Sequence, residues 1–145
     1  MYADSLLINS IIGEGTKLRG EFELKGLLRI DGEFIGKIDD KGGRVLVGVN
    51  GKAVAGPTVD PATPFIIAEI IIIGGKVKGH VKAMKRLVLL DTAELIGDIE
   101  TPRIVADEGA FYEGKCTVTK QPGTEDDKLS DQKVLSMAKR SLGSH

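Results

Sequence analysis

The chain has 145 residues, enough for one domain of ordinary size, with 20 Lys and Arg against 21 Asp and Glu for a net charge of -1. That balance excludes a strongly cationic nucleic-acid surface, and aromatics at 4% with no Trp leave little for stacking on bases or sugars. The single cysteine, Cys116, can form no internal disulfide, and the longest apolar run, Phe65 to Ile73, is broken by Glu69 and too short to span a bilayer. No cleavable signal peptide is written at the start, so a reducing, cytoplasmic setting is expected.

Residues 1–9 read as a tail or lead-in strand. Leu6 to Ile8 are expected to begin a first coil, because no Lys or Arg precedes Lys17 to draw the segment toward anionic lipid. From residue 10 to residue 118 the chain repeats itself. An apolar run, a glycine-rich turn and an apolar-x-Gly-x-apolar string recur six times, anchored at Gly20, Gly36, Gly56, Gly79, Gly97 and Gly114 with spacings of 16, 20, 23, 18 and 17 residues. Two positions before each anchor stand Leu18, Phe34, Val54, Val77, Leu95 and Tyr112; two after stand Phe22, Ile38, Thr58, Val81, Ile99 and Cys116. Flanking positions such as Lys17, Glu33, Lys76 and Glu94, or Glu21, Lys37, Asp98 and Lys115, carry exposed types. This alternation has period two and predicts extended strand.

A helical bundle fails on the same residues, because apolar side chains two apart cannot share a helix face and each unit holds several glycines. Columns of equivalent residues favour one coil stacked on the last over a sandwich. The anchors Gly20, Gly36, Gly79, Gly97 and Gly114 are expected to be structural, facing inward where a missing side chain lets each coil narrow. Gly15, Gly51, Gly74 and Gly109, five residues before an anchor, are expected at corners that need an unusual backbone angle. A coil of this size buries too few side chains to fold alone, so stability must come from stacking. At the usual strand spacing six coils make a rod roughly 29 Å long. Two stretches break the rhythm: Asp39 to Gly43 lengthens one unit, and Pro57 to Pro64, with three prolines, is expected to bulge as a surface loop. Residues 119–145 form a polar tail, expected to be disordered.

The phrases LLRIDGEFIGKI, IIIGGKVKG, ELIGDIETPRIV and DEGAFYEGKC resemble the bactofilin family of bacterial polymer-forming cytoskeletal proteins over about residues 10–118. That resemblance implies an all-β fold, a single-stranded right-handed parallel β-helix of about six coils of 17–18 residues with flexible termini. It also implies nucleotide-independent filaments built end to end, a homopolymer that organises cell shape or envelope machinery, in the cytoplasm or at the inner face of the cytoplasmic membrane. Envelope proteins or that membrane would be its partners besides itself, and no cofactor or metal is implied. The general preference for right-handed crossovers agrees with the implied hand.

The residues themselves point the same way. A coil stack has two ends whose backbone groups lack partners, and no strong cap is written at either. Phe111 and Tyr112 place two aromatics in the final coil of an aromatic-poor chain. With Ile11 and Ile12 at the other end they form the expected polymerisation interface. The rival reading is a left-handed β-helix acyltransferase-like enzyme, a trimer needing a histidine base or several histidines on zinc. The chain has two histidines, His80 on the outward side of its coil and His145 at the end, so no catalytic residue is assigned. A monomeric binding module using the Pro57 to Pro64 loop is a third reading. Gly74-Gly75-Lys76-Val77-Lys78-Gly79 has lysines where a calcium turn needs aspartate, and no phosphate loop is present. Cys116 falls in an inward column and reads as a small buried hydrophobe.

Overall fold

The computed structural model describes residues 8–119. Expectations placed on residues 1–7 and 120–145, including a first-coil role for Leu6 and Leu7 and the disorder of the tail, lie outside the described residues. Thirteen strands and no helix fill the described chain. They are β1 (Ile8–Ile12), β2 (Lys17–Glu23), β3 (Leu27–Ile30), β4 (Glu33–Val47), β5 (Lys52–Ala55), β6 (Ile66–Ile73), β7 (Lys76–Lys78), β8 (Val81–Leu89), β9 (Glu94–Ile96), β10 (Ile99–Thr101), β11 (Ile104–Ala106), β12 (Phe111–Glu113) and β13 (Cys116–Val118).

All pairings are parallel, and each joins a strand to the equivalent part of the next coil. The result is a parallel β-solenoid of about six turns with three faces. The first face stacks β2, the start of β4, β5, β7, β9 and β12. The second begins at Phe22 in β2 and continues through Ile38 in β4, Ile66, Val81, Ile99 and Cys116. The third stacks β1, β3, Arg44 to Val47, Ile70 to Ile73, Arg86 to Leu89 and β11. β4 rounds two corners and contributes to every face.

Inward positions alternate with outward ones, as the period-two pattern demands. Phe34, Val77 and Leu95 on the first face, and Ile38, Val81 and Ile99 on the second, are buried. The third face contributes columns that include Leu28, Val45, Ile71, Leu87 and Ile104. These aliphatic ladders form one continuous core, and their burial is the main force ordering the stack.

The anchor column shares one backbone conformation and needs one correction. Gly20, Gly36, Gly79, Gly97 and Gly114 all have positive φ, from 137° to 149°. A Cβ on Gly36 would come within 1.8 Å of the Gly20 carbonyl oxygen, and one on Gly114 within 1.9 Å of the Gly97 oxygen. For Gly36, Gly97 and Gly114 the forbidden space therefore lies along the stack, against the glycine backbone of the coil below, whereas for Gly79 it is taken by the buried Phe65 ring and the Ala55 Cβ. The correction concerns the third coil. Gly36 is in register with Ala55, not Gly56; Ala53 is the inward residue and Val54 turns outward. Ile66 takes the inward place expected of Thr58. The chain leaves the corner after Ala55, runs through the proline-rich loop and returns at Phe65, so counting along the sequence slipped by one residue. Of the expected corner glycines, Gly15 and Gly109 take positive φ, at 87° and 101°, while Gly51 and Gly74 do not.

One inward position carries a charge. Asp40 is fully buried in the second-face column that continues with Ala68, Ala83 and Thr101. Its Oδ1 accepts the Gly26 N–H at 3.1 Å, and Oδ2 has no hydrogen-bond partner among the described residues. Burial pushes its carboxyl up to about 6, against the Gly26 hydrogen bond that lowers it, with neighbouring Asp39 adding to the rise. The folded state thus holds this proton after the unfolded chain has released it, so Asp40 makes stability fall as pH rises from about 4 to about 6. Asp40→Asn is expected to remove roughly 3 kcal/mol of that decline. Urea unfolding of both proteins across this range checks it; parallel pH profiles would contradict it.

Candidate polymerisation interface

A solenoid has no lateral edge, because every interior rung is paired above and below. Its edges are its ends. Among the described residues β1 pairs only with β3 and β2 only with β4, while at the opposite end β11, β12 and β13 pair only with β8, β9 and β10. Each terminal rung therefore has one row of backbone N–H and C=O groups without a ladder partner among the described residues. Parallel strands of the same coil geometry are the natural complement to such a row.

The structure places the expected interface residues at both ends and brings only neighbours together. Phe111 opens β12 and points outward from the first face, 46% exposed. It lies in register with Glu94, below which Lys76 and Lys52 follow, so a ring occupies a column of charged side chains. Tyr112 points inward and is buried. Its hydroxyl makes no hydrogen bond among the described residues, and burial pushes its pKa upward, with smaller contributions from Cys116 and Asp98. At the other end Ile12 faces inward and is buried, whereas Ile11 faces outward on the third face at 59% exposure. Ile11 and Phe111 belong to first and last rungs and do not meet within one chain.

Sequence reading missed part of the first end. Leu18, Phe22 and Leu24 are inward apolar residues that remain half-buried, with no coil beneath them among the described residues. The Phe22 ring meets Phe34 edge to face, with centroids 5.6 Å apart at 65°. The available signal was position alone, since an inward column must end uncovered wherever the repeat starts.

The other candidates settle into structural places. His80 Nδ1 lies 3.1 Å from the Ala62 carbonyl oxygen, and Nε2 lies 2.7 Å from Glu100 Oε2. The Ala62 contact ties the ring to the proline-rich loop, whereas Nε2, though close to Glu100, makes no aligned hydrogen bond among the described residues. Phe65, fully buried, closes the same loop from inside, its N–H donating to the His80 carbonyl oxygen at 2.8 Å. Cys116 packs against the core, and burial pushes its thiol up to about 11, which keeps it protonated near neutrality. Among the described residues no three His, Cys, Asp or Glu side chains gather as metal ligands, and no helix is long and apolar enough to cross a membrane.

Comparison with known proteins decides the family. The model of a family described as "Bactofilin: Polymer-forming cytoskeletal" matches residues 10–117. The chain belongs to the bactofilin family. The curated bactofilin BacO of Myxococcus xanthus (strain DK1622) is 28% identical over 110 residues, which cover 76% of this chain and 79% of that relative. No solved structure matches. The bactofilin match runs from within β1 to within β13, so the family's domain is the solenoid described above.

Proposed function

We propose that this bactofilin is a non-enzymatic scaffold that assembles by apposing the end coils of its solenoids, using Phe111 and Tyr112 at one end and Ile11 and Ile12 at the other, without nucleotide. The observation that carries this reading is the pair of terminal rungs that lack a second ladder partner among the described residues. An apposed coil would extend the parallel ladder and offer an acceptor or donor to the Tyr112 hydroxyl. It would also cover Phe111 and the half-buried Leu18, Phe22 and Leu24. Each of these gains occurs only at the ends, because interior rungs are already paired above and below. Filaments of this kind would organise cell shape or envelope machinery from the cytoplasm.

The test is direct imaging. Concentrated purified protein, with no nucleotide or metal added, is expected to sediment and to show filaments by negative-stain microscopy. Discrete trimers would favour an acyltransferase-like assembly, and monomers at every concentration would contradict polymerisation outright.

A further inference from the structure

The third face differs from the other two in its charge. Its strands, β1, β3, Arg44–Val47, Ile70–Ile73, Arg86–Leu89 and β11, contain no acidic residue. Register sets one outward row along the whole rod: Ile11, Arg29, Leu46, Ile72, Val88 and Val105. Five of these six are aliphatic, and Val105 is 45% exposed. Beside them runs a cationic row in which Arg44 aligns through Ile70 with Arg86, and Arg103 follows one coil on. Arg29 is paired with Asp31 at 2.8 Å, but Arg44, Arg86 and Arg103 have no carboxylate partner among the described residues. The first face behaves otherwise, since Lys17 meets Glu33 and Lys76 meets Glu94 across adjacent coils. An apolar row interrupted by Arg29 and flanked by guanidinium groups that lack a carboxylate among the described residues fits an extended segment carrying both carboxylates and an aliphatic side chain.

We infer that this face is a docking surface for the chain's own segment Thr124–Asp131. That segment holds Glu125, Asp126, Asp127 and Asp131 against the single Lys128, together with Leu129. It also starts in the right place. The Thr119 N–H donates to the Thr101 carbonyl oxygen at 2.9 Å, at the end of the last second-face rung. One coil earlier the chain passes from Thr101 through Pro102 and Arg103 directly onto the third face. Glu125 follows Thr119 by six residues, a reach of about 20 Å in extended chain, and Arg103 to Arg44 spans three rungs, about 14 Å. A second copy is the poorer occupant, because two acid-free, arginine-bearing faces would repel.

Disulfide trapping in the full chain tests this. In a Cys116→Ser background, Val88→Cys with Leu129→Cys samples the third face, and Val54→Cys with Leu129→Cys samples the outward side of the first. Circular dichroism confirms that each variant is folded. At low protein concentration and low salt, the Val88 pair is expected to close an intramolecular disulfide roughly tenfold faster than the Val54 pair, as docking raises the local concentration of the segment. Replacing the four acids by Gln or Asn, which leaves the solenoid untouched, is expected to bring the two rates together, and so is high salt. Equal rates in the unaltered segment overturn the inference. So does a product dominated by Val88–Val88 dimers, which assigns the face to a second copy. A rate unaffected by removing the acids, with flotation on phosphatidylglycerol vesicles that Val88→Glu abolishes, assigns it to lipid and overturns the inference equally.

Discussion

Phe111→Arg is expected to yield folded, soluble rods in place of filaments. The side chain is 46% exposed at the last rung, so an arginine there is solvated in the free protein and costs the fold little. In an apposed junction the same guanidinium loses its water, and the carboxylate in register beneath it, Glu94, already meets Lys76 at 3.8 Å and is not free to neutralise it. An unpaired buried charge costs about 3 kcal/mol or more, which raises the concentration needed for assembly at least about a hundredfold. Tyr112→Arg is a less clean test. Tyr112 is buried within the core of the final coil, so its replacement disturbs that coil as well as the junction. Sedimentation and microscopy read assembly, and circular dichroism reads the fold. Abundant filaments from the Phe111 variant would show that the junction lies elsewhere.

The second large effect is on stability. Gly36→Ala is expected to destabilise the solenoid by about 3 kcal/mol or more, because two penalties coincide. A φ of 149° is one that L side chains rarely adopt, and the added Cβ would fall 1.8 Å from the Gly20 carbonyl oxygen. That oxygen belongs to the ladder and cannot withdraw without breaking a rung. Gly20→Ala provides the control. Its φ of 144° is equally unfavourable, yet nothing lies within 4 Å of the added carbon, because Gly20 sits on the first rung. Its cost should be only about 1 kcal/mol. Ala55 explains why one coil escapes the rule: the described residues include no non-glycine with positive φ, and the chain leaves the corner at that point. Urea midpoints of the two variants are the measurement. Equal losses from Gly20→Ala and Gly36→Ala would show that strain within the residue, rather than contact between coils, governs this column.

Both predictions bear on the same assembly from different levels. The glycine column lets successive backbones approach closely enough to share a ladder. The same ladder, stopping at the first and last rungs, leaves the ends that apposition would satisfy. A fold whose stability comes from stacking is thereby predisposed to go on stacking, unless its ends are blocked.

The parts legible in the amino-acid sequence are those set by local rules. Alternation of apolar and polar residues assigned extended strand, and the recurrence of Gly20, Gly36, Gly79, Gly97 and Gly114 marked the coils, because a glycine-only backbone angle leaves its trace in a single letter. Inward residues such as Phe34, Val77, Leu95 and Ile99 followed from the same count. Quantities that depend on which residues stack across coils were not legible. The Gly56 count failed because the excursion after Ala55 returns at Phe65, and only the ladder reveals that Ile66 sits over Ile38. Asp40 looked like one more acid in a polar stretch, and its burial became visible only with the column it shares with Ala68. His80 falls at an outward position of its coil, but its side chain is mostly covered by the proline-rich loop, and its contact with Ala62 exists only because that loop folds back. The arginine row of the third face is likewise built from residues scattered between positions 44 and 103. Periodicity is written along the chain, where neighbours in sequence decide it; register, burial and charge pairing are written across the coils, where only the closed stack determines which residues meet.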